Sequence, residues 1–278
     1  SVGRRALLLG ASAAIALLVA RRLWRSDVHQ SHRGVGPLRL CWWALRTRRL
    51  RAALSETDGP SVDRACTVAG VDISFIKGSD TDACAGLVVL ELSSLNVLYE
   101  DMERVTLTAP YVPGYLAFRE VDFLLRLLDR LKKSRPHLVP DVILVDGNGK
   151  LHPHGCGLAC HLGVRSGIPT IGIGKNLHHV DGLSRERLRR LFDSGECDKP
   201  GAHVLLVGDS GTVWGAALRT TAVEDFKPVL VSVGHAISLQ SAIELTNRCC
   251  LHRIPEPVRQ ADLRSREWLR RHGTVQRR

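Results

Sequence analysis

The sequence lacks the patterns that mark several classes of protein. It contains no internal repeat and no low-complexity tract, which excludes repeat arrays and fibrous chains. Its eight cysteines have no framework-like spacing, and several lie inside apolar runs, where a free thiol packs as a small hydrophobic side chain. We therefore expect a reducing compartment and no disulfide scaffold.

The sequence also lacks an apolar run of clear membrane-spanning length. The block from Ala6 to Ala20 has 15 residues, whereas a spanning helix needs about 20. Arginine pairs flank it at residues 4–5 and 21–22, which is the layout of a signal or targeting segment. The other interpretation is an unstructured extension, and we expect residues 1–37 to lie outside the folded domain.

Acidic residues are scarce at both ends of the chain. Residues 1–55 contain 11 Arg and one Asp, and residues 258–278 contain seven Arg, one Asp and one Glu. The two ends therefore have net charges of +10 and +5. Because the whole chain has a formal net charge of +11, residues 56–257 have a net charge of −4. Basic ends can strengthen salt-sensitive binding to nucleic acid, or they can simply keep a protein soluble. We expect residues 263–278 to form a basic tail.

The remaining chain alternates between strand-like and helical patterns. Apolar runs at residues 66–76, 84–92 and 95–99 predict a hairpin or meander, and leucines at spacings of three and four predict a helix over residues 114–133. After residue 141 the patterns predict strand, helix, strand, hairpin, strand and helix. The fold is therefore predicted to be α/β, with a mixed central β-sheet flanked by helices, antiparallel early and parallel where helices cross over.

Three carboxylates occupy positions where a charge is costly to bury. Asp72 lies inside an apolar strand, Asp146 ends the apolar run that begins at Val142, and Glu120 lies in the first turns of a predicted helix. If they converge, they repel one another and their pKa values rise. A divalent cation such as Mg²⁺ relieves this repulsion, and two such ions can assist phosphodiester hydrolysis.

Each carboxylate also has an ordinary interpretation. Asp72 can cap a bulge or pair with Lys77, and Glu120 can be a surface charge on its helix that pairs with a neighbouring Arg. Asp146, which precedes Gly147, can be a turn aspartate.

Histidines and cysteines crowd the segment after Asp146 and offer a different metal site. The residues are His152, His154, Cys156, Cys160 and His161. The Cys-x₃-Cys pair is a possible zinc half-site, but no second pair follows at finger spacing, and we expect no zinc.

Four segments carry a family resemblance. They are PYVPGYLAFRE at 110–120, VDGNGKLHPHGCGLACHLG at 145–163, IPTIGIGK at 168–175 and VSVGHAISLQSA at 231–242. In order and spacing they resemble the endonuclease V family of inosine-directed nucleases, and the resemblance extends over roughly residues 38–262. We therefore predict one nuclease domain over that range.

The resemblance implies a ribonuclease-H-like fold and a metal-dependent reaction. Family members use Mg²⁺, for which Mn²⁺ can substitute, to hydrolyse the second phosphodiester bond 3′ to a hypoxanthine nucleotide. Asp72, Glu120 and Asp146 match the metal-binding carboxylates. Lys175 matches a lysine that contacts phosphate, and His235 matches the active-site histidine near the metal.

The resemblance also implies a substrate-binding surface. Two prolines would stiffen a protruding loop, and an aromatic ring on that loop can fill the space left by a base that rotates out of its stack. Backbone groups would read the flipped hypoxanthine. The residues assigned to this surface are Pro110, Tyr111, Val112, Pro113, Gly114, Leu116, Gly147, His152, Gly157 and Leu158.

Animal members of the family act chiefly on inosine in RNA and bacterial members on deoxyinosine in DNA. The many Cys and Arg residues favour the animal type, so we predict an endoribonuclease that prefers single-stranded or unpaired RNA, with weaker activity on deoxyinosine DNA. We expect a monomer in the cytoplasm and the nucleolus or nucleus. The alternatives are a DNA-repair endonuclease at deoxyinosine and a non-catalytic inosine-binding protein.

Overall fold

The structure is a computed structural model, and it describes residues 35–193, 199–222 and 227–272. Most of the predicted N-terminal extension and the last part of the predicted C-terminal tail lie outside these ranges. Within them, no helix combines the length and apolar character that a bilayer-crossing segment needs.

The described ranges contain the following helices and strands. The helices are α1 Pro37–Ala52, α2 Ala117–Ser134, α3 Leu158–Ser166, α4 Arg185–Asp193, α5 Leu239–Arg248 and α6 Glu256–His272. The strands are β1 Thr67–Phe75, β2 Asp82–Glu91, β3 Val97–Thr106, β4 Val142–Asp146, β5 Thr170–Gly174, β6 His203–Val207, β7 Val213–Leu218 and β8 Val229–His235.

The strands form one eight-stranded sheet in the order β3-β2-β1-β4-β5-β8-β7-β6. The first three strands pair antiparallel, whereas β1, β4 and β5 pair in parallel. The pairs β5–β8, β8–β7 and β7–β6 are antiparallel again. The predicted mixed sheet is confirmed, and its parallel part lies where helices connect the strands.

Helices cover both faces of the sheet, which is why the central strands read as continuous apolar runs. In β4, Val142 and Leu144 pack into the core formed with α5 and α6. The alternate residues Ile143 and Val145 pack into the core formed with α2 and α3. The charged end of β4 then lies beyond both cores.

The third strand is longer than the sequence predicted. Residues 95–99 were expected to form it, but β3 begins at Val97 and continues to Thr106. It is the edge strand of the sheet and most of its residues are not fully buried. The polar residues from Glu100 to Arg104 therefore remain hydrated, and the apolar pattern that marks a buried strand is absent.

Helix α6 crosses the boundary that the sequence placed between residues 262 and 263. Its apolar side packs on β1 and β2, where Ala261 and Ser265 are fully buried. The backbones of α6 and β1 approach each other closely at Gly70. A Cβ atom at Gly70 would lie 1.8 Å from the carbonyl oxygen of Pro257. The expected tail therefore starts later than predicted, since the helix up to His272 belongs to the fold.

Candidate active site

Asp72, Asp146 and Glu120 come from three different elements. Val71 lies opposite Val145 in the parallel pair of β1 and β4. The next residues of the two strands, Asp72 and Asp146, are therefore level in the sheet. Glu120 lies in the first turn of α2. Asp72 is 8% exposed and Glu120 is 7% exposed, so two of the three carboxyls are buried.

Burial and mutual repulsion raise the pKa values of the two buried carboxyls. Burial, followed by the negative charge of Asp146, raises the pKa of Asp72 to about 7. Burial also raises the pKa of Glu120 to about 8; Asp72 adds to this shift and Arg119 opposes it. The three carboxyls therefore lie close enough together for their charges to interact.

Two serines hold the carboxylate of Asp72. Ser74 Oγ donates a hydrogen bond to Asp72 Oδ2 at 2.8 Å, and this contact lowers the pKa of Asp72. Ser265 Oγ of α6 lies 2.8 Å from Ser74 Oγ and 3.3 Å from Asp72 Oδ2. Helix α6 also brings Asp262 near, and its negative charge adds to the rise in the pKa of Asp72. Neither Ser265 nor Asp262 was among the residues that the sequence assigned to the site.

Asp146 is partly exposed and has a lysine beside it. Lys175 Nζ, just beyond the end of β5, lies 2.5 Å from Asp146 Oδ2. Because β4 and β5 are parallel neighbours, with Asp146 opposite Ile173, the two side chains meet at the same edge of the sheet.

The ordinary interpretations of the two buried carboxylates do not agree with this arrangement. Within the described residues Asp72 forms no ion pair, so the suggested pairing with Lys77 is wrong. Glu120 is buried, so it is not a surface charge on its helix.

His235 ends β8, and a backbone N–H already occupies its Nδ1 atom. The Ser55 N–H donates to His235 Nδ1 at 3.3 Å. Burial lowers the pKa of His235, so the ring is neutral near pH 7 and carries its proton on Nε2. The next residue, Ala236, has a φ of 51° and donates its own N–H to the Ser55 carbonyl. The loop after α1 therefore fixes the ring so that Nε2–H is the group it offers.

The donor types of this site suit a hard divalent cation. Asp72, Glu120 and Asp146 provide carboxylate oxygens, which are the ligands that Mg²⁺ prefers. Among the residues the structure describes, no group of three or more His, Cys, Asp or Glu side chains has the arrangement of a metal site. One Asp146 oxygen instead faces Lys175. The site therefore fits a cation in charge and donor type, with its side chains placed for hydrogen bonds and an ion pair.

The loop over residues 110–114 presents one aromatic ring to solvent. Tyr111 is 59% exposed, whereas Val112 is 1% exposed. The side chain of Val112 packs in a small cluster with Val35, Trp43 and Tyr115. The buried side chain of Val112 therefore anchors the loop to α1, and its predicted contact with substrate stays a prediction.

Glycines bring the backbone segments of the predicted pocket close together. A Cβ atom at Gly157 would lie 2.2 Å from the carbonyl oxygen of Asn148, and one at Gly114, where φ is 79°, would lie 2.9 Å from the His154 ring. Larger residues at these positions would push the segments apart. The backbone of Asn148 and the ring of His154 therefore pack tightly against these two glycines.

Buried side chains lie beside these glycines. Burial lowers the pKa of His152 to about 3, so its ring is neutral. The His154 N–H donates to His152 Nδ1 at 3.2 Å, which leaves the proton of His152 on Nε2. Leu158 is buried at the start of α3, and Leu116 is half-buried at the start of α2.

The family model that describes Endonuclease V matches residues 48–263. The chain belongs to the Endonuclease V family. This match covers the three carboxylates, Lys175 and His235, and it extends into α6.

Individual Endonuclease V proteins are similar to the chain over most of its length. The mouse protein is 49% identical over 242 residues, which cover 84% of this chain and 70% of that protein. A crystal structure of the human protein is 46% identical, with a TM-score of 0.80, and the match covers 84% of this chain and all of that one. A Ciona intestinalis Endonuclease V was solved in complex with a 24mer DNA containing an inosine followed by a ribo-adenosine. It is 33% identical with a TM-score of 0.77, and the match covers 84% of this chain and 99% of that one.

These similarities confirm two predictions made from the sequence. The mixed sheet with flanking helices is the ribonuclease-H-like fold of Endonuclease V structures. The chain is an endonuclease, and the family to which it belongs is typically metal-dependent.

The crowded histidines and cysteines form no zinc site in the described residues. Cys156 and Cys160 are buried together and pack against Leu50 of α1. The hydrogen bond from Cys160 lowers the pKa of Cys156 to about 6, and the ring of His161 contacts Phe118 edge-on. These side chains therefore join α1, α2 and α3.

Proposed function

We propose that this chain hydrolyses the second phosphodiester bond 3′ to inosine in RNA, with a preference for single-stranded or unpaired substrate and weaker activity on deoxyinosine DNA. The observation that carries the proposal is the cluster of Asp72, Glu120 and Asp146, in which burial raises the pKa of two carboxyls. These three residues would hold a divalent cation, Mg²⁺ or Mn²⁺. When bound, the cation would stabilise the negative charge that develops on phosphate oxygens.

Two other residues supply a positive charge and a hydrogen-bond donor. Lys175 is partly exposed beside Asp146, so its ammonium group can turn towards a phosphate oxygen of a bound substrate. His235 offers Nε2–H, because Ser55 occupies its Nδ1 atom. We therefore assign to His235 the role of a donor to the phosphate or the leaving oxygen, and not that of a metal ligand.

The pocket between the loop at 110–116 and the segment at 147–158 would read the base. Gly157 lies against the backbone of Asn148 and Gly114 lies against the His154 ring. Since neither glycine has a side chain, their amide and carbonyl groups would be able to reach the edge of a flipped hypoxanthine. Hypoxanthine lacks the exocyclic amine of guanine. A pocket closed at that edge therefore rejects guanine by exclusion.

A relative supports the preference for RNA. The Ciona protein was solved with a ribo-adenosine directly after the inosine. In the reaction proposed here the cleaved bond lies on the 3′ side of that nucleotide. Its 2′-hydroxyl would then be adjacent to the reacting phosphate, and this hydroxyl is what distinguishes RNA from DNA at a given site.

The test is an incision assay on matched single-stranded oligonucleotides. The inosine and its 3′ neighbour carry ribose or deoxyribose in each combination, with Mg²⁺ or EDTA. We expect cleavage at the second bond 3′ to inosine only with the cation, and fastest with ribose. Asp72→Asn should abolish cleavage, whereas Asp63→Asn, which changes an exposed aspartate before β1, should not.

Two results would replace the proposal. Faster cleavage of the all-deoxyribose oligonucleotide would make the chain a DNA-repair endonuclease at deoxyinosine. Tight binding of inosine RNA without cleavage in Mg²⁺ or Mn²⁺ would make it a non-catalytic inosine-binding protein.

A further inference from the structure

Helix α1 has a buried face and an exposed face of unusual composition. The buried residues are Trp43, Thr47 and Leu50. The other side exposes three large apolar residues, Leu38, Trp42 and Leu45. Trp42 is 57% exposed, so a tryptophan ring on this helix faces solvent. An exposed apolar stripe of this kind marks a binding surface.

The charge of α1 is entirely positive. The helix contains no Asp or Glu, and its arginines are Arg39, Arg46, Arg48, Arg49 and Arg51. All five are exposed, and none of them forms an ion pair with a residue that the structure describes. Arg46 and Arg49 follow Trp42 by four and seven residues, so they lie on the same side of the helix as the exposed ring. Their charge is available to a polyanion.

A row of ring contacts joins Trp42 to the pocket side of the molecule. The Trp42 ring lies 5.9 Å from that of Phe118, which stacks on Trp43 at 5.1 Å. Trp43 contacts Tyr115 at 5.7 Å, and Tyr115 contacts His154 at 4.9 Å. One cluster of packed rings therefore contacts Trp42 at one end and His154, beside the loop and pocket assigned to inosine recognition, at the other.

We propose that this face binds the single-stranded RNA that flanks the inosine, with Trp42 stacking on an unpaired base and Arg46 and Arg49 contacting phosphates. The inference rests on the proposed function, because it extends the surface on which that substrate lies. Arginines beside an exposed aromatic are the combination that single-stranded nucleic acid requires, since the ring accepts any base and the charges follow the backbone. The uniform positive charge of the helix selects nucleic acid over another apolar partner.

The test is binding of the full chain to labelled oligouridine of about 20 nucleotides, measured by fluorescence anisotropy over a salt series. Oligouridine carries no inosine, so the base pocket does not contribute specific contacts. Trp42→Ala should weaken binding about tenfold, whereas Trp42→Phe should keep most of it. Changing Arg46 and Arg49 together to Gln should flatten the salt slope by roughly 1.4, about 0.7 for each lost phosphate contact.

A matched control separates this surface from general positive charge. Arg104→Gln removes an exposed arginine on β3 and should leave oligouridine binding unchanged. Thermal denaturation should show that each variant is folded, with a midpoint close to that of wild type except for the small loss expected where Trp42→Ala removes the contact with Phe118.

Three results would overturn the inference. The first is that Trp42→Ala binds oligouridine as tightly as wild type does. The second is that wild type shows no measurable binding to oligouridine. The third is that anionic phosphatidylserine vesicles bind wild type but not Trp42→Ala, while the two proteins bind oligouridine equally. The last would make the face a membrane surface. Failure of wild type to incise inosine RNA would contradict the proposed function but not this inference, since the oligouridine comparison does not depend on incision.

Discussion

Lys175 Nζ lies 2.5 Å from Asp146 Oδ2, so a lysine at the end of one parallel strand neutralises an aspartate at the end of the next. Both side chains keep contact with solvent, and an ion pair of this kind contributes little to stability. Breaking this ion pair therefore costs little free energy. A cation held by Asp146 would release the ammonium group of Lys175 to a phosphate oxygen.

The first prediction concerns that exchange. Lys175→Met should lower the rate of incision about 100-fold, because one fixed positive charge near the reacting phosphate is lost. Its effect on the thermal midpoint should be small. Lys133→Met, at an exposed lysine of α2, is the control and should change neither quantity. Incision by Lys175→Met at the wild-type rate would contradict the assigned role.

The second prediction concerns stability and pH in EDTA. In the folded chain the pKa of Glu120 is about 8, above its ordinary value of 4.5. Between these values the folded state holds a proton that the unfolded state has released, so stability falls as pH rises. Burial of His152 has the opposite effect, but only below its ordinary value of 6.5. The contribution of Glu120 is therefore clearest from about pH 6.5 to 8.

Glu120→Gln isolates this contribution, because glutamine keeps the shape and cannot ionise. The wild-type thermal midpoint in EDTA should fall relative to that of Glu120→Gln by roughly 5 °C from pH 6.5 to 8. Mg²⁺ should raise the wild-type midpoint more at pH 8 than at pH 6.5, since it binds ionised carboxylates. An equal Mg²⁺ effect at both pH values would contradict the prediction.

The third prediction assigns a positioning role to Ser265. Its hydroxyl lies 2.8 Å from Ser74 Oγ, and the hydrogen bond from Ser74 lowers the pKa of Asp72. Ser265→Ala should free Ser74 to turn, so the pKa of Asp72 should rise. The acid limb of the pH–rate profile should then move to higher pH, with incision at pH 7 falling about tenfold.

A stability control is needed because Ser265 is buried. Ser238 caps α5 by accepting the Ser241 N–H, and Ser238→Ala should lower stability by about 1 kcal/mol. It should leave the pH–rate profile in place. If the pH–rate profile of Ser265→Ala equals that of wild type, Ser265 has a packing role only.

The fourth prediction concerns the exposed ring of Tyr111. Tyr111→Ala should slow incision of inosine in a base-paired region about tenfold, because no ring then fills the space of the flipped base. Incision of single-stranded substrate should change less, since no stack has to be opened. Tyr111→Phe keeps the ring and should behave as wild type. Equal losses on paired and unpaired substrates would exclude this role.

The central part of the fold could be predicted from local pattern. The apolar run that ends at Asp146 and the apolar setting of Asp72 each predict a buried strand with a charge. Parallel neighbours place the ends of their strands at one edge, so the sequence could also predict that these carboxylates approach each other. The confirmed sheet depends on this regularity.

Contacts between distant segments could not be predicted in the same way. The arginines of residues 258–278 conceal the apolar spacing of Val258, Ala261 and Leu269. The sequence therefore placed the end of the domain inside α6, and Asp262 was not assigned to the site. The packing of Val112 on Trp43 of α1 could not be predicted either, because the two residues lie far apart in the sequence. Such packing partners lie far apart along the chain, and single-sequence periodicity does not report them.

The position of α6 also has a consequence for biosynthesis. The Ser265 hydroxyl contacts Asp72 of β1 and the charge of Asp262 acts on it, although the ribosome releases β1 long before Glu256–His272. A nascent chain, or a product of early termination before Glu256, would present β1 without the helix that covers Gly70 and steadies Asp72. We therefore expect the endonuclease activity to arise only after α6 has been translated.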